Sequence, residues 1–419
     1  MKNILSRAIC IGATACIFTF VTGCQTHDHG SVQSTSGEKP KPALAGSAQP
    51  PQTNQVPADA KPASSNVPGM QFPKVDPERR AYFRIRAPEA KSVSVGLPGG
   101  RNMTKGADGV WTVTTFPLAP GFHYYTITVD GATVSDPASE SYFGTGKMSS
   151  GIEVPSPGED FYLPEHVPHG DIRAHYYFAR TTGKIRRCFV YTPPGYDTNL
   201  TERYPVLYLQ HGMGEDARGW PDQGRVGFIM DNLIAAGKAK PMIVVMSDGD
   251  ITPGAMSGPR RGRTHMFWDN FGPIFIRDIV PMIDSNYRTI PDRDHRAMAG
   301  LSLGGTQTME ITQAHLDLFA YIGVFSAPFG FPQVPGGFNG LLGDPAAFAR
   351  QVKVFFISYG TAGDLAARGT RRFHQELEQA GIKHVYYQSP GTSHEWQTWR
   401  RSLYHFAPLL FQTPQDGNQ

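Results

Sequence analysis

Apolar and polar positions alternate along residues 70–155. The alternation forms four short runs, at residues 83–87, 93–97, 111–115 and 125–129. Turns that contain glycine or proline separate the runs, at residues 98–100, 107–109, 119–121 and 130–131. Because successive side chains of a strand point to opposite faces of its sheet, this pattern predicts half-buried strands. Their close spacing predicts a small immunoglobulin-like β-sandwich over residues 70–155.

From about residue 171 the pattern changes to short apolar runs that alternate with stretches of helical periodicity. Phe275, Ile279 and Ile283, for example, recur at helical spacing. Alternation of buried strands with amphipathic helices predicts a largely parallel sheet with helices on both faces. We therefore expect an α/β domain over residues 171–412. Its predicted strands are residues 186–192, 206–210, 242–246, 297–300, 321–325, 354–359 and 384–388.

The first 23 residues show neither pattern. Lys2 and Arg7 precede a short apolar stretch, as is typical of a secretory signal peptide. The stretch ends in a Val-Thr-Gly-Cys sequence that resembles the bacterial lipobox, so we expect Cys24 to carry a lipid that anchors the chain in a membrane of the bacterial cell envelope. Gln25 then implies the outer membrane, by the sorting rule of enterobacterial lipoproteins. An ordinary signal peptide cleaved nearby, giving a secreted protein, is the alternative.

Composition changes this outline in three respects. Residues 24–69 are polar and proline-rich and predict a disordered tether, because they contain too few large apolar side chains to offset the entropy cost of folding. The formal net charge is +3 over 419 residues with no basic patch, so a nucleic-acid partner is not expected. Three of the four cysteines lie within the first 24 residues, which leaves Cys188 as a predicted buried thiol and excludes a disulfide framework within one mature chain.

Residues 300–304 carry the clearest chemical signal. Their sequence, Gly-Leu-Ser-Leu-Gly, fits the G-x-S-x-G pattern, and it lies between a predicted strand and a stretch compatible with a helix. A tight turn from strand to helix exposes the serine hydroxyl, and only small residues fit at the two glycine positions of the pattern. The pattern therefore predicts Ser302 as a nucleophile.

An earlier loop, residues 209–214, follows another predicted strand and contains a His-Gly-Met-Gly sequence. In α/β-hydrolases an N–H group of such a loop and the N–H group after the nucleophile bind the oxyanion. We expect these donors to be the backbone amides of Met213 and Leu303. His211 is expected to form structural hydrogen bonds rather than to act as a second base.

The serine needs a histidine base and a carboxylate that orients the histidine, in the chain order serine, acid, histidine. His394 is the candidate base because it lies on a glycine-containing loop just after the last predicted strand. Asp364 is the candidate acid because it follows the preceding strand in a Gly-Thr-Ala-Gly-Asp sequence. The alternative for Asp364 is a helix N-cap.

Residues 176–411 resemble carbohydrate esterase family 1, which comprises feruloyl and acetylxylan esterases often labelled esterase D-like. The matching segments are RRCFVYTPPGY, YPVLYLQHGMGEDARGW, GLSLGG, YGTAGDL and GTSHEWQTW, in the order of the family. The resemblance implies the α/β-hydrolase fold, the same triad, and an aromatic residue soon after the histidine. Four tryptophans are candidates for stacking on an aromatic acyl group, although core packing is the commoner fate of tryptophan. They are Trp220, Trp268, Trp396 and Trp399.

The preceding β-region resembles the early-set modules grouped as carbohydrate-binding module family 48. Its one tryptophan, Trp111, lies on an alternating run, where burial is expected. A packing or substrate-shaping role is therefore favoured over glucan binding.

These observations predict a serine esterase that acts on acylated plant cell-wall polysaccharide or oligosaccharide, either a feruloyl or an acetylxylan esterase. We expect it to need no metal or organic cofactor. An acyltransferase or a siderophore-type esterase with the same triad is the first alternative. A surface glycan-binding lipoprotein without enzymatic activity is the second, and the presence of all three triad residues speaks against it.

Overall fold

The structure, a computed structural model, describes residues 55–97, 100–249 and 271–412. The predicted signal peptide, Cys24 and most of the predicted tether lie outside these residues, as does Trp268. All described residues belong to one compact unit. No helix among them combines the length and the apolar character that crossing a membrane requires.

The N-terminal part, here called the β-module, consists of short antiparallel strands in three sheets. The sheets have the strand orders β1-β2-β3-β7-β6, β10-β9-β4-β5 and β11-β12-β8. The strands are β1 Lys61–Pro62, β2 Lys74–Val75, β3 Ala81–Arg86, β4 Val93–Val95, β5 Arg101–Asn102, β6 Thr104–Lys105, β7 Val110–Thr114, β8 Gly121–Tyr125, β9 Ile127–Val129, β10 Ala132–Val134, β11 Ser141–Gly144 and β12 Lys147–Val154.

The predicted alternation is present in the β-module, where β7 buries every second residue. Trp111 on this strand is buried, and its Nε1–H donates to the carbonyl of Ala87 over 2.9 Å. Trp111 is therefore a core residue and not an exposed platform for sugar.

The predicted tether extends too far along the chain, because its last residues belong to the β-module. Strand β1 pairs with β2, and the backbone of Val67 donates to the carbonyl of Ala138 over 2.9 Å. Ala63 and Ser65 are buried. The prediction from composition was wrong for two reasons. Side chains as small as these pack closely against a sheet, and the backbone hydrogen bonds that hold the segment do not require large side chains.

The C-terminal part is an α/β-hydrolase domain, which confirms the predicted fold class. Its eight-stranded sheet has the order β13-β14-β16-β15-β17-β18-β19-β20. The pairs from β16 to β20 are parallel, whereas β13, β14 and β16 pair antiparallel. The strands are β13 Asp171–Ala179, β14 Lys184–Thr192, β15 Val206–Gln210, β16 Ile243–Ser247, β17 Arg296–Leu301, β18 Tyr321–Phe325, β19 Val354–Gly360 and β20 Val385–Ser389.

Helices cover both faces of this sheet. One face packs against α2 and α8, and the other packs against the segment formed by α3, a π-helical turn and α4. The π-helical turn is Phe275–Ile279. The helices are α1 Gly219–Asp222, α2 Val226–Ala235, α3 Phe271–Ile274, α4 Val280–Asn286, α5 Leu303–Ala314, α6 Pro345–Gln351, α7 Ala367–Gln379 and α8 Trp396–Phe406.

The β-module and the hydrolase domain share one apolar core and a buried ion pair. Phe122 and Tyr142 of the β-module pack into the same cluster as α2 and α8. Arg400 of α8 binds Glu153 of β12 through two contacts, Nη1 to Oε1 at 2.7 Å and Nη2 to Oε2 at 3.0 Å. Both side chains are almost completely buried. The charge of each residue is therefore compensated across the boundary between the two parts.

This ion pair predicts the effect of removing one partner. Glu153→Leu leaves the guanidinium of Arg400 buried without its counter-charge, and we expect it to lower the free energy of unfolding by about 3–5 kcal/mol. The double variant Glu153→Leu/Arg400→Met should recover much of that loss. Asp294→Asn, which removes an exposed ion pair with Lys353, is the control and should cost less than about 1 kcal/mol. Urea denaturation of the four proteins measures these values, and a Glu153→Leu loss as small as that of the control would contradict the assignment.

Candidate active site

Ser302 lies at the turn between β17 and α5 with φ 51° and ψ −115°, outside the regions that most residues adopt. The turn closes because the residues two positions before and two positions after Ser302 are glycines. A Cβ atom on Gly300 would lie 2.4 Å from the carbonyl carbon of Gly304, and one on Gly304 would lie 2.5 Å from the carbonyl oxygen of His211. The N–H group of Ser302 donates to the carbonyl of Phe325 over 2.8 Å, which ties the turn to β18.

The structure brings the three predicted triad side chains together. His394, on the loop after β20, has its Nδ1 2.9 Å from Oδ1 of Asp364 and its Nε2 2.9 Å from Oγ of Ser302. Since a carboxylate oxygen can only accept, Nδ1 carries the proton and Nε2 accepts the serine hydroxyl. This is the tautomer that allows His394 to take the proton of Ser302.

Asp364 is fixed by four donors, of which sequence reasoning had identified one. Oδ1 accepts from His394 and from the N–H group of Ala366, and Oδ2 accepts from the hydroxyl of Ser326 and the N–H group of Gly360. Burial raises the pKa of Asp364, but these hydrogen bonds outweigh burial and hold the pKa below its ordinary value. Asp364 therefore stays ionised beside His394.

Ser326 is a contributor that the sequence analysis missed. It follows β18 directly, has φ 49°, and is completely buried with its hydroxyl 2.7 Å from Oδ2 of Asp364. Its position in the sequence could have identified it. A polar residue at the carboxyl end of the strand beside β17 lies next to the nucleophile.

The loop after β15 carries Met213, the first of the two predicted oxyanion donors. Met213 and Ser302 line the same cavity. Leu303 is the first residue of α5, so its N–H group has no acceptor within the helix. His211 is occupied on both ring nitrogens, because Nδ1 donates to the carbonyl of Gly212 and Nε2 accepts the N–H group of Gly249. His211 thus has the structural role that was expected of it.

The cavity at Ser302 has a volume of ≈ 420 Å³ and is lined by both parts of the molecule. Trp396 and Trp399 border this cavity although each is almost completely buried, and they pack edge to face with ring centroids 5.2 Å apart. The structure contradicts the hypothesis that Trp220 contacts substrate. Trp220 is buried behind Trp396, and its Nε1–H donates to the carbonyl of Gln210 over 2.9 Å. The contribution of the β-module is Phe122, His123, Tyr124 and Thr145.

Tyr124 connects the β-module to the loop after β15, which carries Met213 and Glu215. Its hydroxyl accepts from Gln223 over 2.6 Å and from the indole N–H of Trp396 over 3.2 Å, so its own proton is directed to Oε1 of Glu215, 3.1 Å away. Burial raises the pKa of Glu215 to about 7. The backbone adds a second link, since the N–H group of Gly146 donates to the carbonyl of Gly214 over 2.7 Å. Sequence reasoning missed Tyr124 because it appeared as one position of an alternating strand.

Comparison with known sequences identifies esterases that are related to this chain. The family model described as "Putative esterase" matches residues 179–409. An endo-1,4-beta-xylanase/feruloyl esterase of Xylanibacter ruminicola is 41% identical over 362 residues, which are 84% of this chain and 48% of that protein. An esterase of Mycobacterium tuberculosis is 28% identical over 249 residues, which are 48% of this chain and 51% of that protein. The chain thus spans about half the length of these curated relatives.

Solved structures of esterases are also similar to this chain. A CE1 ferulic acid esterase from Anaeromyces mucronatus, in complex with ferulic acid, is 25% identical with a TM-score of 0.52, and the match covers 61% of this chain and 96% of that one. The enterobactin esterase of Shigella flexneri is 19% identical with a TM-score of 0.58, and the match covers 78% of this chain and 92% of that one. The second likeness is one of fold.

Removing the hydroxyl of Ser326 tests its support of the acid. Ser326→Ala deletes one of the four donors to a charged carboxylate, so we expect a loss of about 1.5–3 kcal/mol in stability. Turnover should fall less than in a variant that lacks Asp364 itself. Urea denaturation and kcat on an activated ester measure the two effects, and stability equal to that of the unmodified protein would contradict the contact.

Glu215 predicts a pH dependence of stability. Its pKa is raised in the folded protein, so the unfolded chain releases the proton first and stability falls as the pH rises from about 4.5 to about 7. The slope is on the order of 1 kcal/mol per pH unit within that window. Melting temperatures of the unmodified protein and of Glu215→Gln, measured between pH 4 and pH 8, should converge at low pH and diverge toward neutrality. Parallel curves would contradict the prediction.

Proposed function

The chain belongs to the putative esterase family, and we propose that it is a serine esterase that releases a hydroxycinnamoyl group, of the ferulate type, from acylated plant cell-wall polysaccharide. The observation that carries the proposal is the hydrogen-bonded series Ser302–His394–Asp364 at the edge of a cavity walled by Trp396 and Trp399. The feruloyl esterase named among the sequence relatives and the ferulic acid esterase among the solved structures support the choice of acyl group.

The reaction proceeds in two acyl-transfer steps. His394 Nε2 takes the proton of Ser302 as Oγ attacks the ester carbonyl, and the resulting oxyanion binds the N–H groups of Met213 and Leu303. The imidazolium then gives its proton to the leaving sugar oxygen as the carbon–oxygen bond breaks, which leaves the acyl group on Oγ. Water, deprotonated by His394, attacks the acyl carbon of this acyl-enzyme. As the bond from that carbon to Oγ breaks, the imidazolium returns the proton to Oγ, which releases the acid and restores Ser302. Asp364 remains ionised throughout and stabilises the imidazolium.

The size and walls of the cavity favour an aromatic acyl group over acetate. A volume of ≈ 420 Å³ exceeds what an acetyl group fills. Trp396 and Trp399 stand beside the triad, and the ring of Trp399 packs edge to face with His394 at a centroid distance of 5.2 Å. A planar hydroxycinnamoyl ring gains both buried apolar area and aromatic contacts in such a space.

The proposal predicts the activity of two proteins on two esters. The unmodified protein should release ferulate from methyl ferulate far faster than acetate from acetylated xylan. Ser302→Ala should lose about 10⁴-fold or more in kcat while keeping the melting temperature, because the nucleophile is removed without disturbing the core.

Ser285→Ala, which changes an exposed serine whose hydroxyl donates to the carbonyl of Met282, is the matched control and should retain full activity. Full activity of Ser302→Ala would overturn the nucleophile. Acetate release in excess of ferulate release would overturn the aromatic acyl group and indicate an acetylxylan-type esterase.

A further inference from the structure

A second cavity, here called the interdomain cleft, opens between the β-module and the hydrolase domain and has a volume of ≈ 320 Å³. His123, Ser393 and Glu395 line both this cleft and the cavity at Ser302, so the two spaces adjoin at the triad. We propose that the interdomain cleft binds the sugar from which the acyl group is released. This inference rests on the proposed esterase function and assigns the alcohol side of its substrate.

The direction of the leaving group follows from the position of the general acid. His394 Nε2 protonates the leaving oxygen, so that oxygen and the sugar attached to it lie on the His394 side of Ser302. The neighbours of His394 in the chain, Ser393 and Glu395, are the residues that lead from the triad into the interdomain cleft. Trp396 and Trp399 line the cavity at Ser302 and not the interdomain cleft, so the acyl group is assigned to that cavity.

The polar groups of the cleft match the hydroxyl groups of a sugar. His123 Nε2 is 2.7 Å from the carbonyl of Ala119, and because a carbonyl can only accept, Nε2 holds the proton. In the neutral ring Nδ1 is then an acceptor. Glu395 uses Oε1 to accept the N–H group of Ser393 over 2.9 Å, and a carboxylate has acceptor capacity beyond one such bond. The wall therefore presents acceptors, together with the hydroxyl of Ser393 as a donor.

An aromatic ring and a guanidinium form the rim of the cleft. Phe116 follows β7 and is 40% exposed, although most large apolar side chains of the β-module are buried. The guanidinium carbon of Arg101 lies 3.7 Å from the centre of the Phe116 ring. The ring offers an apolar surface to the C–H face of a sugar, and the stacked guanidinium keeps N–H donors at the edge of its plane.

The mixture of surfaces distinguishes the cleft from the cavity that holds the acyl group. The cavity at Ser302 is walled by two tryptophans together with Phe122 and Tyr124. The interdomain cleft shares the polar residues His123, Ser393 and Glu395 with that cavity, but Phe116 and Arg101 take the place of the tryptophans. A hydroxycinnamoyl ring gains more contact in the first, whereas a sugar, which alternates C–H and O–H groups, gains more in the second.

The test compares an ester with a sugar and an ester without one. Phe116→Ala and Arg101→Ala are assayed on a feruloylated arabinoxylan oligosaccharide and on methyl ferulate, whose leaving group is too small to reach the cleft. Phe116→Ala should raise KM for the oligosaccharide roughly tenfold, which corresponds to the loss of one buried aromatic contact. Values of kcat/KM on methyl ferulate should stay within twofold.

Two exposed residues outside the cleft provide matched controls. Phe178→Ala changes an exposed phenylalanine of β13, and Arg84→Ala changes an arginine that lies 5.1 Å from the ring of Phe72. Both controls should behave as the unmodified protein on both esters, and melting temperatures establish that all four variants fold.

Each outcome decides the proposal. An equal loss on both esters would overturn it, because the residues would then serve the acyl group or the fold. Unchanged kinetics on both esters would overturn it and leave the esterase function intact. An unmodified protein that cleaves neither ester would instead overturn the proposed function itself.

Discussion

The parallel pairing of β15, β17, β18, β19 and β20 is the constraint on which the active site depends. Parallel neighbours end at the same edge of the sheet, so each strand delivers one group to that edge. These groups, in strand order, are the Met213 loop, Ser302, Ser326, Asp364 and His394. Ser302 and His394, which are 92 positions apart in sequence, therefore meet within hydrogen-bond distance without any long side chain reaching across the molecule.

The same edge is where the β-module joins the site. Tyr124 and the backbone of Gly146 both bind the loop that follows β15, and Arg400 holds β12 against α8 one turn beyond Trp396. The loop that supplies Met213 is thus fixed from two sides, by the strand that precedes it and by the β-module. In the proposed mechanism Met213 is an oxyanion donor, and such a donor acts only if it is already positioned when the negative charge develops. The attachment of the loop therefore supports that proposed role through residues that never touch the reacting atoms.

The sequence allowed the prediction of Ser302, His394 and Asp364 because each carries a local signal. Glycines lie two positions before and two positions after the serine, and the acid and the base each follow a predicted strand in a glycine-containing loop. Tyr124 and Ser326 carry no such signal, since their role arises from contacts with residues 91 and 38 positions away, respectively. The prediction that Trp220 contacts substrate was wrong for a related reason. The sequence does not show whether Trp220 or the neighbouring Trp396 lines the cavity.

Other misses came from judging segments by bulk hydrophobicity. The residues around Ala63 were predicted to be a tether because the segment is polar, proline-rich and poor in large apolar side chains, and the small size of Ala63 and Ser65 is what allows them to lie against the sheet. Strand β13 was absent from the prediction because it is an edge strand with exposed apolar residues, Tyr176 and Phe178, on one face.

The buried pair between Glu153 and Arg400 has a consequence for how such proteins arise. A gene rearrangement that placed this hydrolase domain behind an unrelated partner would leave a fully buried cation without an anion. We therefore expect the β-module and the hydrolase domain to be inherited together. Duplications, fusions and losses should occur outside this pair of domains rather than at the junction near residue 155.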